Sequence, residues 1–281
     1  MDSLLAAIGL DAAVQKLQER FAGKPGETLA YGLSGSQKHV AFAACYRKSP
    51  QPWVVLVHNS DMVSAWREDL EALLPEATVV ELPELDIVNV QAAAKSIERS
   101  ARRMDVLGRL MRQEPVIVLA TSAAAVQKGM SRNEFERLSL GVRIGQQLPR
   151  EELLARLVQL GYEHAEEVER VGQFSSRGGI VDVYAINSPA PVRMEFFDDE
   201  IDSLREFDLA TKRSIRNISS TAILPLAQTD DAGRPELFLT YLEKKGAVLF
   251  DEPIRIREQI KTMVKENPDI RPRCSAGRIC A

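Results

Sequence analysis

At 281 residues the chain is long enough for two domains, and its 45% hydrophobic and 27% charged content is that of a globular protein, not a disordered one. A net charge of -4 argues against a module that lives on a nucleic-acid backbone. Three cysteines (Cys45, Cys274, Cys280) and three histidines (His39, His58, His164) lack metal-ligand spacing, and no apolar run approaches the ~20 residues of a membrane span, so a cytoplasmic protein without a metal site is expected.

Leu4, Leu5, Ile8, Val14, Leu17 and Phe21 read as a helical lead-in over residues 4–22, broken near Gly9 and ended by the Gly23–Gly26 turn. A short strand is expected over Thr28–Tyr31, then a helix from Lys38 to Arg47, a buried strand at Trp53–Val57, and a helix to Leu74 capped by Asn59 or Ser60. Val79–Leu82 reads as a further strand. Residues 91–113 form an amphipathic helix with Ile97, Ala101, Met104 and Leu107 or Gly108 on one side. Its other side carries Arg99, Arg102, Arg103, Arg109 and Arg112, read as a solvated face in preference to a phosphate-binding stripe. Val116–Ala120 is a strand, and Thr121-Ser122 caps a short helix. Strands alternating with helices imply a parallel sheet covered on both sides.

After Leu138 the pattern changes. A strand near Leu140–Gly145 precedes a helix from Arg150 to about Gly161, whose inner face is Leu153, Leu154, Leu157 and Leu160. Ile180–Tyr184 and Val192–Phe197 are strands joined by the turn-forming Asn187–Pro191. In the second of them Val192, Met194 and Phe196 point one way and Arg193 and Glu195 the other. Phe197 falls on the Arg193 side, either as an interface anchor or folded back beneath the next turn. Ile201, Leu204 and Phe207 follow, then a strand ending at Ile223–Pro225, which makes a small α+β domain. A polar connection, Gln228–Arg234, leads to a helix Glu236–Lys244, a strand Ala247–Phe250 and a charged helix from Ile254 to Glu266.

Gly32 to His39 lies where a phosphate-binding loop would, after a strand and opening a helix. Gly32 and Lys38 are in place for the pattern G-x-x-x-x-G-K-[ST], with Gly35 and Ser36 in the loop between them, but Gln37 takes the second glycine's place and His39 that of the hydroxyl that holds Mg²⁺. A Cβ at that glycine costs about 1–2 kcal/mol where the turn is left-handed, and it crowds a phosphate. Asp251-Glu252, after an apolar strand, has the form of an acidic box that positions Mg²⁺ and water. Together they read as a nucleotide site inherited and disabled, with no catalytic residue. The alternative is an NTP-binding motor fragment using Lys38 and Asp251.

Gly161-Tyr162, the run Val171–Asp182 and the run Arg193–Arg205 (RMEFFDDEIDSLR) resemble the N-terminal region of the bacterial transcription-repair coupling factors, a region similar to the excinuclease subunit UvrB. The resemblance covers nearly the whole chain. It implies an α/β fold: a degenerate P-loop helicase-like parallel-sheet domain whose first part is residues 1–137 and whose return segment is 227–281. A small UvrB-like α+β domain, 138–226, is inserted between them and docks UvrA. The family's docking residues fall on Arg177, Arg193 and Phe197. Members are ATP-driven DNA translocases that displace stalled RNA polymerase and recruit nucleotide excision repair. The resemblance places ATP and Mg²⁺, RNA polymerase and duplex DNA contacts, and a C-terminal domain that masks the docking surface, outside these residues. No cofactor and no enzymatic activity are expected of this chain. The closing residues Arg273–Ala281 depart from the family pattern, so the return segment is expected to be incomplete.

Overall fold

The structure, a computed structural model, describes residues 2–22, 26–85, 93–226, 235–242 and 246–266. The connection Gln228–Arg234 and the closing residues with Cys274 and Cys280 lie outside them. In chain order the elements begin α1 (Asp2–Ile8), α2 (Ala12–Ala22), α3 (Gln37–Lys48), β1 (Trp53–Val57), α4 (Ser60–Leu73), β2 (Thr78–Glu81), α5 (Ala93–Met111), β3 (Val116–Thr121) and α6 (Ser122–Val126). Then come β4 (Lys128–Gly129), α7 (Arg132–Leu138), β5 (Leu140–Arg143), α8 (Arg150–Gln159), β6 (Glu163–His164), β7 (Gln173–Arg177), β8 (Ile180–Val183) and β9 (Val192–Phe197). The chain continues through β10 (Glu200–Phe207), β11 (Ser214–Asn217), β12 (Ser220–Ile223), β13 (Glu236–Leu237), a 3-10 turn Phe238–Leu242, β14 (Ala247–Phe250) and α9 (Pro253–Glu266).

Two compact units form: residues 1–84, 109–127 and 237–281 make one, and 85–108 and 128–236 the other. The first is built on a four-stranded parallel sheet ordered β14-β1-β3-β2. Strands β1 and β3 are buried along their whole length. Interior parallel strands are covered on both faces, which is why WVVLV and VIVLAT read as unbroken apolar runs. On one face Val55, Val57, Ile117 and Leu119 pack with Phe42, Cys45 and Tyr46 of α3 and Val63, Trp66 and Leu70 of α4. Phe42 sets its ring edge-on to both Trp53 and Trp66, at 5.2 and 5.6 Å between centroids. Asn59 caps α4 by accepting the Met62 N–H at 3.0 Å, and Thr121 caps α6 through the Ala124 N–H at 3.1 Å.

Three sequence expectations fail in or beside this unit. Thr28–Tyr31 forms no strand, and Leu29 and Tyr31 are 77% and 89% exposed. Strand propensity is realised only against a neighbour, and no described strand pairs with this stretch. Glu236–Lys244 is not an α-helix: β13 and the 3-10 turn occupy its described part. Phe238, Tyr241 and Leu242 have helical spacing and are buried, but three to five residues suffice for that. Arg103, assigned to the solvated face of α5, is 1% exposed.

The second unit holds a six-stranded sheet ordered β11-β10-β9-β8-β7-β6, antiparallel except where β6 joins β7. Beside it β5 pairs with β12. Phe174, Val181, Val183, Val192, Met194, Ile201 and Leu204 form the inner face, packed with Leu153 and Leu157 of α8. A register shift between Ile201 and Ser203 puts one extra residue in β10. That bulge lets Ile201 and Leu204, three apart, both point inward, a spacing that hid β10 from a period-two reading.

Candidate protein-docking surface and a filled phosphate loop

The face of the large sheet opposite its core carries all three of the residues singled out by resemblance. Cross-strand pairing sets Ser175, Asp182, Arg193 and Arg205 in one row and Arg177, Ile180, Glu195 and Ser203 in the next. Phe197 is two residues further along β9, about 7 Å beyond Glu195, and Arg177 lies two strands away, about 10 Å across the sheet. Phe197 is 75% exposed, so it does not fold back beneath the turn. Its neighbour Phe196 turns inward and packs on the core. The chain then reverses through Asp198, whose φ of 52° puts it in the left-handed region that aspartate tolerates.

The two arginines differ. Arg177 is exposed, and its side chain makes no hydrogen bond or ion pair with a described residue. Arg193 is a fixture of the sheet: its Nε and Nη2 donate to both Asp182 carboxylate oxygens at 2.7 Å, and its guanidinium stands 4.9 Å from the Phe207 ring centroid. The Asp182 hydrogen bonds raise the Arg193 pKa further, so the group stays charged. Next to it, Glu195 accepts from Ser203 Oγ at 2.7 Å and pairs with Arg205. Reading the sequence missed Asp182 and Phe207 as the supports of Arg193. The acid was within reach, since a carboxylate at the centre of IVDV opposite an arginine in VRMEF is a cross-strand pair once the strands are aligned.

The loop Gly32–His39 belongs to the first unit. Gly32 and Gly35 have φ of 82° and 52°, and Gln37 begins α3, so the left-handed cost considered for Gln37 does not arise. Instead its side chain takes one of the loop's donors: Gln37 Oε1 accepts the Ser34 N–H at 3.1 Å, a backbone donor of the kind that cradles phosphate. Lys38 Nζ meets the two Asp251 oxygens at 2.7 and 2.6 Å. Asp251 is 6% exposed and takes a third bond from Trp66 Nε1 at 2.8 Å. His39, in the hydroxyl's place, is buried with Nδ1 2.6 Å from Asp69 and its ring 4.0 Å from that of Trp66. Glu252 turns to Arg255 at 2.9 Å and stands 3.9 Å from His58. The side chains of Gln37, Lys38, His39, Asp251 and Glu252 are thus engaged within the chain, and with an amide and an imidazole where the pattern has a glycine and a hydroxyl, the residues present do not fit ATP and Mg²⁺.

Hydrogen bonds from His39, and secondarily Ser36, hold the Asp69 carboxyl below the usual carboxylate range. A carboxyl with a depressed folded pKa adds stability above its unfolded value near ~4, which is lost as pH falls through the folded value. Asp69→Asn is therefore expected to flatten the acid limb of stability below about pH 4, measured by urea melts followed by tryptophan fluorescence. An unchanged acid limb would remove Asp69 from that account.

Elsewhere the arginines of α5 and its end are met by acids: Arg102 by Glu98 at 2.5 Å, and Arg109 and Arg112 by Glu114 at 3.2 and 2.7 Å. Cys45 is a core thiol whose pKa burial pushes up to about 12. Among the described residues, no three His, Cys, Asp or Glu side chains are grouped to hold a metal ion, and no helix is long and apolar enough to cross a membrane.

Residues 140–228, from β5 to just past β12, match the UvrB interaction domain family. Fold and match together define the class: a mixed α/β chain whose second unit is similar to a UvrB interaction domain. More particularly, the chain is similar to transcription-repair-coupling factors. It is 35% identical over 199 residues to that of Bacillus subtilis (strain 168), covering 71% of this chain and 17% of the relative. Identity is 28% over 223 residues to that of Staphylococcus aureus (strain bovine RF122 / ET3-1), covering 79% and 19%. Against that of Staphylococcus epidermidis (strain ATCC 12228 / FDA PCI 1200) it is 29% over 224 residues, again 79% and 19%. The chain spans less than a fifth of the length of these relatives. The likeness read from the motifs thus holds over most of the chain.

Proposed function

We propose that this chain is the N-terminal UvrA-recruiting module of a transcription-repair coupling factor, acting in nucleotide excision repair by docking a protein. The observation that carries the reading is Phe197, 75% exposed on the open sheet face within the segment similar to a UvrB interaction domain. An exposed aromatic flanked by arginine is the composition of an interface anchor. In this reading Arg177, Arg193 and Phe197 contact UvrA, with the fixed Arg193–Asp182 pair as a rigid floor. Residues 138–226 are the docking domain, inserted in a degenerate P-loop helicase-like domain of residues 1–137 and 227–281. Translocation on DNA, ATP hydrolysis, displacement of RNA polymerase and masking by a C-terminal domain belong to the longer parent.

The engagement of Gln37, Lys38 and His39 within the chain supports a module that does not hydrolyse ATP. Titration with purified UvrA is expected to give saturable binding, whereas titration with ATP and Mg²⁺ gives none. A flat UvrA titration overturns the docking role. Saturable, Mg²⁺-dependent ATP binding abolished by Lys38→Ala would favour the motor-fragment reading instead.

A further inference from the structure

The turn that presents Arg177 is held from outside its own hairpin. Arg177 pairs with Ile180 across the two-residue turn Gly178-Gly179, and Gly178 has a φ of 59°, which a side chain would oppose. Such a turn, exposed and made of two glycines, has no packing of its own to fix it. Two hydrogen bonds fix it instead. The Gly179 carbonyl accepts the Phe196 N–H at 2.8 Å, and a Cβ on Gly179 would come within 3.1 Å of the Phe196 carbonyl oxygen. The Gly178 carbonyl accepts from Arg150 Nη1, at the first turn of α8. Arg150 Nη2 pairs with Glu151 at 2.7 Å, which orients the guanidinium. The α8 start, the Arg177 turn and the strand end bearing Phe197 are thereby linked through two consecutive carbonyls.

We propose that Arg150 is a positioning residue of the docking surface: by holding the Gly178 carbonyl it fixes the turn that aims Arg177 at the partner. The inference rests on the docking reading above. It differs from a direct contact in a measurable way. A residue acting through Arg177 loses its effect once Arg177 is gone, whereas two independent contacts add. It also differs from a general stabiliser, because α8 is seated in the core by Leu153 and Leu157.

The test is calorimetric titration of UvrA into the parent chain and into Arg150→Ala, Arg150→Lys, Arg177→Ala, the double variant Arg150→Ala/Arg177→Ala, and Phe197→Ala, with melting by circular dichroism as the folding control. Arg150→Ala is expected to bind about fivefold to tenfold more weakly with unchanged melting. The double variant is expected to bind no more weakly than Arg177→Ala alone. Arg150→Lys, which keeps an N–H for the Gly178 carbonyl, recovers most of the affinity. Additive losses in the double variant overturn the inference, as does parent-like binding by Arg150→Ala while Phe197→Ala is impaired. A flat titration of the unsubstituted chain overturns the docking reading itself.

Discussion

Phe197→Ala is expected to weaken UvrA binding by roughly thirtyfold, the loss of about 2 kcal/mol seen when a central interface aromatic is truncated. The variant should melt like the parent, because a side chain 75% exposed has little packing to lose. Binding and stability are thus separable at this position, as they are not at Phe196, whose ring packs on the core. The direction of each side chain follows from strand alternation, so neighbouring residues divide the open sheet face from the core. Calorimetry decides it: a dissociation constant within twofold of the parent would move the anchor elsewhere on the sheet.

Lys38→Ala is expected to destabilise the first unit by about 3 kcal/mol. It leaves the Asp251 carboxylate, 6% exposed, with the Trp66 indole as its one remaining partner among the described residues, and a buried carboxylate stripped of its cation carries the desolvation cost unrelieved. Asp251→Asn should cost less, since an amide oxygen still accepts from Trp66 and no buried charge remains. Trp53 and Trp66, the chain's two tryptophans, both lie in the first unit, so the fluorescence change in a urea melt reports that unit alone. Equal midpoints for Lys38→Ala and the parent would show that the pair adds nothing to the fold.

Local patterns gave most of the longer helices and the interior strands β1 and β3, because continuous apolar runs and capping residues such as Asn59 and Thr121 are written within a few residues, but they missed α7 and gave a helix at Glu236–Lys244 that does not form. What they could not give was set by partners far along the chain. Thr28–Tyr31 has strand composition but no described strand beside it. QFSSR becomes β7 because it pairs with β8, and its own composition is too polar to announce a strand. That Arg193 and Phe197 share the outer face of β9 was legible through period two. The supports of Arg193 needed the register. Nor could composition place Arg103 in the interior of α5, since a long charged helix face reads as solvated whichever residue it hides. The departure of the phosphate-like loop from its pattern was legible at Gln37 and His39, yet the partner of Lys38 is Asp251, 213 residues further on.

The parallel pairing of β1 with β14 also sets a timetable for synthesis. Trp53–Val57 emerges from the ribosome about 190 residues before Ala247, its partner across the sheet. At roughly 5–20 residues per second that interval is about 10–40 s. The whole of the second unit, which closes at Glu236, is made within it. The nascent chain can therefore complete the second unit while β1 still has an open apolar edge, so the sheet face bearing Phe197 is finished before the unit that encloses it in sequence.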